Sequence, residues 1–162
     1  MTTYRAAVVT VSDSSAAGRR QDTSGPLLAG LLSELGFVVI ATTTVPDERT
    51  QIADLLRQHV TAGVSMVATT GGTGLGPRDV TPEATRDVIE REIPGIAEAM
   101  RAETLRKTPF AMTSRQVAGS VGRTLIVNFP GSTKAVEECF AVVRPVLKHV
   151  VDLLMGDTEH RH

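Results

Sequence analysis

The run Ala6-Ala7-Val8-Val9-Thr10-Val11 is apolar on both alternating faces and rich in β-branched residues, then stops at once in the polar cluster Ser12-Asp13-Ser14-Ser15. A strand of that kind must be covered on two sides, which is the situation of a parallel sheet between helical layers. The rest of the chain repeats the arrangement. After Gly25-Pro26 the leucines at 27, 28, 31, 32 and 35 recur at helical spacing, and Gly36 follows as a C-terminal cap. Phe37 to Val45 reads as a second strand, closed by Pro46-Asp47, with Asp47 placed to cap a helix that carries Ile52, Leu55, Leu56 and Val60. Val64 to Thr70 is a third strand that breaks into Gly71-Gly72-Thr73-Gly74-Leu75-Gly76-Pro77, after which Thr81-Pro82-Glu83 has the cap and early proline of a helix start. Helical spacing is then expected to continue through Ile96 and Met100 to about Lys107. Leu125 to Asn128 is the last strand, and Ser132 caps a helix with Val136, Phe140 and Val143 inside, which Pro145 should kink or restart.

Strands alternating with helices imply an α/β fold, a three-layer α/β/α sandwich around a mostly parallel sheet, occupying residues 1–155 as one domain. The polar residues 156–162 read as a flexible C-terminal tail. Seventeen Lys+Arg against eighteen Asp+Glu leave a net charge of −1, which gives no surplus to draw the chain onto nucleic acid. Cys139 is alone, so an intrachain disulfide and a cysteine zinc site are excluded and a reducing compartment is favoured. No apolar run approaches the roughly 18 residues of a membrane span, so the expected location is cytoplasmic.

In an open parallel sheet, ligands bind beyond the carboxyl ends of the strands. Those ends carry Ser12 and Asp13, then Asp47, then the glycine loop with Arg78 and Asp79, then Asn128, Gly131 and Ser132. Glycine-rich backbone can donate N–H groups to phosphate, while nearby carboxylates would repel it unless a hard cation intervened, so the combination implies phosphate plus Mg²⁺. Pro77 stands where a dinucleotide fingerprint requires Gly or Ala, and Pro77-Arg78 stands where a P-loop requires Lys and Ser/Thr. Plainer roles are also open: a helix cap for Asp47 and an Asx-turn for Asp79. The four histidines, His59, His149, His160 and His162, show no ligand spacing and are expected to be solvated.

The stretch from Thr69 through Gly71-Gly72-Thr73-Gly74-Leu75-Gly76-Pro77-Arg78-Asp79 to Thr85 closely resembles the signature of the MogA/MoaB family of molybdenum cofactor biosynthesis proteins. Thr10-Val11-Ser12-Asp13, Gly25-Pro26, Val45-Pro46-Asp47-Glu48, Pro109-Phe110-Ala111-Met112 with Ser114-Arg115, and Asn128-Phe129-Pro130-Gly131-Ser132 extend the resemblance from about Ala6 to Leu154. The Pro-Gly-Ser turn at 130–132 leans towards the MoaB pattern, and Ser12-Asp13 with Ser114-Arg115 towards MogA.

The resemblance implies a molybdopterin adenylyltransferase that moves AMP from ATP to the terminal phosphate of molybdopterin, releases pyrophosphate and requires Mg²⁺. It implies Asp47 and Asp79 as catalytic and Mg²⁺-binding residues, and Gly71, Gly72, Thr73, Gly74 and Arg78 as nucleotide-phosphate contacts. Ser12, Asp13, Ser114, Arg115, Pro130, Gly131 and Ser132 would line the pterin side. The other reading is a MoaB-like pterin-binding or assembly protein that keeps the pocket without turnover. Homotrimers or hexamers are implied, with contact to a molybdate-insertion protein. Phe110, Ala111 and Met112 are placed either at a subunit contact or in the monomer core.

Overall fold

The computed structural model describes residues 2–158; the expectations for His160, His162 and residues 159–162 of the tail lie outside the described residues. One six-stranded sheet has the order β2-β1-β3-β6-β5-β4. β1 (Arg5–Val11), β2 (Val38–Val45), β3 (Met66–Thr70) and β6 (Thr124–Phe129) are mutually parallel. The inner strands are covered as expected, every residue of β3 and β6 being buried, whereas β2 lies at the sheet edge and leaves Val38 and Ile40 exposed.

The far edge differs from the sequence expectation. The helical pattern towards Lys107 is interrupted: α4 ends at Arg86, two residues form β4 (Arg91–Glu92), and a separate helix α5 runs Pro94–Leu105. β5 (Ala118–Val121) then lies antiparallel against both β4 and β6. Neither strand has a periodic pattern of its own; β5 pairs with the edge that β6 offers, and β4 with the edge that β5 offers in turn.

Two apolar layers sandwich the sheet. On one face Ala6, Val8, Met66, Leu125 and Val127 pack with Leu28 and Leu32 of α2 (Ser24–Glu34), Met100 of α5, and Phe140, Val143 and Leu147 of α6 (Thr133–Leu154). On the other, Ala7, Val9, Val67 and Ile126 pack with Ile52 and Leu56 of α3 (Arg49–Thr61) and Ala84 of α4 (Thr81–Arg86). α6 passes Pro145 as one helix and does not restart. Two expected caps also move. Glu48, not Asp47, is the N-cap residue of α3, and Val80, not Thr81, that of α4. Ser132 caps α6 as predicted, its hydroxyl accepting from the Ala135 N–H.

The 3₁₀ turn Pro109–Thr113 buries Ala111 while Phe110 and Met112 stand 77% and 72% exposed, so these two do not complete the monomer core.

Candidate functional site

A cleft of about 320 Å³ opens beyond the carboxyl ends of β1, β2, β3 and β6. Ser12, Asp47, Gly71, Gly72, Asp79, Gly131 and Ser132 line it, so seven of the expected residues meet where parallel strands should bring them. Thr73 is buried just behind the loop.

The glycine loop is shaped by backbone crowding. Gly71 has φ +96°, and a Cβ there would lie 2.3 Å from the Val11 carbonyl oxygen. Gly72 has φ +68°, with the Thr81 hydroxyl 2.3 Å from where a Cβ would be. Only glycine fits such positions without strain. The loop is pinned from below: Gly71 N–H donates to the Phe129 carbonyl (3.1 Å), and the buried Thr81 hydroxyl donates to the Gly71 carbonyl (2.9 Å). This bond explains why Thr81 does not cap its helix. Beyond these pins the N–H groups of Gly72, Thr73 and Gly74 have no intramolecular partner among the described residues. Successive unpaired amides in a left-handed turn form a cradle for an anion.

Three carboxylates reach the cleft, and their bonding separates them. Asp22 is committed to structure: its Oδ2 accepts from the Thr10 hydroxyl (2.7 Å) and its Oδ1 from the Gly25 N–H (3.0 Å). Asp47 accepts the Asp13 N–H on Oδ2 (2.8 Å), while the Asp47 N–H donates to Asp13 Oδ1 (3.0 Å), a reciprocal clasp joining the ends of β1 and β2. Asp79 accepts the Gly76 N–H on Oδ2 (2.9 Å). Asp47 and Asp79 therefore each anchor with one oxygen and leave Oδ1 without a partner among the described residues. Burial raises the Asp47 carboxyl above its ordinary range, opposed by the Asp13 N–H and reinforced by the charges of Asp13 and Asp79. Asp13 is held below it by the Arg78 hydrogen bond and the Asp47 N–H.

Asp13, Gly74 and Pro130 do not line the cleft, and Arg78, Ser114, Arg115 and the strand-end residue Asn128 are engaged elsewhere. Arg78 turns away from the cleft, ion-paired to Asp13 (3.0 Å) and Glu48 (2.9 Å). Arg115 is a brace: its N–H donates to the Thr73 carbonyl (2.9 Å), its guanidinium to the carbonyls of Gly74 and Asp79 (2.8 Å each), and it pairs with Glu83. Ser114 bonds the Gln116 side chain, and Asn128 is wholly buried, its amide donating to the hydroxyls of Thr69 (3.0 Å) and Thr85 (2.9 Å). The guanidinium and amide donors that the sequence offers near the loop are thus engaged inside the fold. Conversely the cleft includes Arg20, Gln21, Asp22, Thr23 and Ser24, which the sequence reading passed over. The available signal was the polar cluster ahead of Gly25, where a Cβ would lie 2.3 Å from the Thr10 hydroxyl and 2.4 Å from Asp22 Oδ2.

Among the described residues, no group of three or more His, Cys, Asp or Glu side chains forms a ready metal cage. Two half-free carboxylates beside an amide cradle are the usual protein share of a Mg²⁺ site, since that ion keeps several waters and takes further oxygens from substrate phosphates.

Comparison with known proteins identifies relatives of this chain. A family model described as "Probable molybdopterin binding domain" matches residues 7–149. A Helicobacter pylori molybdopterin adenylyltransferase is 38% identical over 160 residues, covering 97% of this chain and 91% of that protein. The Drosophila melanogaster molybdenum cofactor synthesis protein cinnamon is 41% identical over 152 residues, 93% of this chain, which spans 25% of that protein's length. The crystal structure of the molybdopterin biosynthesis enzyme MoaB from Thermus thermophilus superposes with a TM-score of 0.90 at 48% identity, covering 95% of this chain and 98% of that one.

Proposed function

Because the chain belongs to the molybdopterin-binding domain family, we propose that it is a molybdopterin adenylyltransferase of molybdenum cofactor biosynthesis, transferring AMP from ATP to the terminal phosphate of molybdopterin. The observation that carries the reading is the meeting, at one cleft, of a glycine loop whose Gly72, Thr73 and Gly74 N–H groups have no partner among the described residues with two carboxylates that each keep an oxygen free.

Nucleotidyl transfer asks mainly for positioning and charge stabilisation. The attacking phosphate of the pterin is already a nucleophile, and the site accordingly needs no activated Ser or Cys. The N–H groups of Gly72, Thr73 and Gly74 would hold phosphate oxygens against the strand ends. Asp47 and Asp79 would bind Mg²⁺, which supplies neutralisation of the α-phosphate and of the departing pyrophosphate. The Asp13–Asp47 clasp and the Gly76–Asp79 bond fix both carboxylates before substrate arrives, so little reorganisation remains for the reaction itself. Arg78 and Arg115 serve this reading as braces of the loop tip, not as phosphate ligands.

The chain would work as a trimer, with Phe110 and Met112 at the subunit contact; their exposure of 77% and 72% supports that placement. No described helix is long and apolar enough to cross a membrane. A cytoplasmic location belongs to the same reading, and the free, buried thiol of Cys139 suits such a reducing compartment. Incubation of the purified protein with molybdopterin, ATP and Mg²⁺ should yield pyrophosphate and adenylylated pterin. Pterin binding without either product would replace the enzyme by a binding protein. Light scattering should give the mass of three chains; a single-chain mass over a wide concentration range refutes the trimer.

A further inference from the structure

The arginines around the cleft differ in what their guanidinium groups have left to offer. Arg115 is bonded through all three of its nitrogens to two carbonyls and Glu83, and Arg78 is ion-paired to both Asp13 and Glu48. Arg20 lines the cleft with its side chain exposed, and among the described residues that side chain has no hydrogen-bond or ion-pair partner. Its backbone, by contrast, is held. Gly18, at φ +72°, turns the chain after α1 (Asp13–Ala16), and the N–H groups of Arg19 and Arg20 both point to the Ser14 carbonyl (2.9 and 3.3 Å). Two residues later Asp22 is clamped by Thr10 and Gly25. A turn tied only at the Ser14 carbonyl and at Asp22 thus presents a free guanidinium.

The charged side chains lining the cleft are Asp22, Asp47, Asp79 and Arg20. Three negative groups would repel a phosphorylated substrate, and Arg20 is the one lining residue of opposite sign among the described residues. A guanidinium offers five donors in a planar fork that matches phosphate oxygens bidentately. We infer that Arg20 grips a phosphate group of a substrate from the turn at 18–25, a second segment lining the cleft beside the glycine loop. The inference rests on the proposed function, and it assigns the cleft's mobile positive charge to a residue outside the glycine motif. Two sources offer that phosphate, the nucleotide's polyphosphate and the pterin's terminal group, and experiment separates them.

Arg20→Ala and Arg20→Lys should melt with the parent, because no folded-state contact of the side chain is lost. Calorimetric titration with MgATP alone, and separately with molybdopterin alone, reads binding without turnover. For Arg20→Ala, affinity for one of the two should fall about 10-fold or more, with Arg20→Lys intermediate because it keeps the charge and loses the fork. A loss confined to MgATP assigns the grip to the polyphosphate; one confined to molybdopterin assigns it to the pterin phosphate. Unchanged affinity for both ligands in Arg20→Ala overturns the inference while leaving the proposed function standing. Failure of the parent itself to bind either ligand overturns both.

Discussion

Two loops wall the same cleft and are built on opposite plans. The glycine loop at 71–79 is braced from the end of β6, from α4 and from Arg115, and backbone presses so closely on Gly71 that no Cβ fits. The segment at 18–25 hangs from the Ser14 carbonyl and the Asp22 clamp, and a Cβ on Gly18 would meet nothing within 4 Å. One wall has its flanking guanidiniums engaged and the amides of Gly72, Thr73 and Gly74 free; the other carries a free guanidinium on a lightly tied turn. Rigidity is concentrated where fixed dipoles would act, and latitude is left where a long side chain can reach. Preorganised donors gain from being immobile, whereas a flexible arm can follow a ligand in and out.

The sharpest way to break this contrast is at its most crowded point. Gly71→Ala places a methyl against the Val11 carbonyl in a left-handed conformation. It should cost about 3 kcal/mol or more, lowering the melting temperature by roughly 6–12 °C. A melting curve that matches the parent would mean the loop is not pinned as described.

Next come the carboxylates. Asp47→Asn keeps an oxygen for the Asp13 N–H but loses the charge, and Asp79→Ala removes the other free oxygen. Each should slow AMP transfer by about 10²-fold or more. The folded-state shift of Asp47 is upward, so its ionised form costs the native state stability once the pH exceeds the ordinary carboxylate range. Asp47→Asn should therefore melt no lower than the parent at neutral pH even as it fails to turn over. Turnover in both variants within a few-fold of the parent would reduce the carboxylates to structural clasps.

Arg115→Ala should lower both stability and turnover, by about 1–3 kcal/mol and roughly 10-fold, since it frees two loop carbonyls and orphans Glu83. Arg115→Lys should rescue little, because an ammonium cannot span those partners. Full rescue would show that charge alone holds the loop.

A smaller effect concerns pH. In the metal-free protein the Asp47 carboxyl, followed by NMR, should titrate above the ordinary carboxylate range, and Asp13→Asn should move it downward by removing a neighbouring negative charge. No movement would mean that the Asp13 charge does not reach Asp47. Smallest of all, Gly18→Ala should cost about 1 kcal/mol, the left-handed backbone alone, with turnover intact. A loss as large as that of Gly71→Ala would erase the distinction between the walls.

The contrast also explains what could be read from the sequence. β1, β2, β3 and β6 announce themselves because strands packed between helical layers are largely apolar or β-branched, and the glycine loop because it interrupts such a strand abruptly. Asp47 and Asp79 follow from their place at strand ends. β4 is too short, and β5 too short and too small-sided, to carry a pattern; β5 is paired by β6, and β4 by β5. In the sequence Arg78 shows as a cation beside the glycine loop, and Arg115 as one that the family resemblance brings to it. That their donors are already taken by Asp13, Glu48, Glu83 and loop carbonyls is a tertiary fact with no local trace. Arg20 and Asp22 lie between elements, where only the fold shows that the turn leans over the cleft.

The strand order has a consequence for synthesis. β3 ends at Thr70, yet its outer neighbour β6 begins only at Thr124, so a chain emerging from the ribosome carries β3 for a long interval with one edge unpaired. The side chains along that edge are all apolar or β-branched, the kind that recruits foreign strands. Nascent chains arrested before β6 should accumulate in aggregates or on chaperones, and release of Thr124–Phe129 should be the step that ends the exposure.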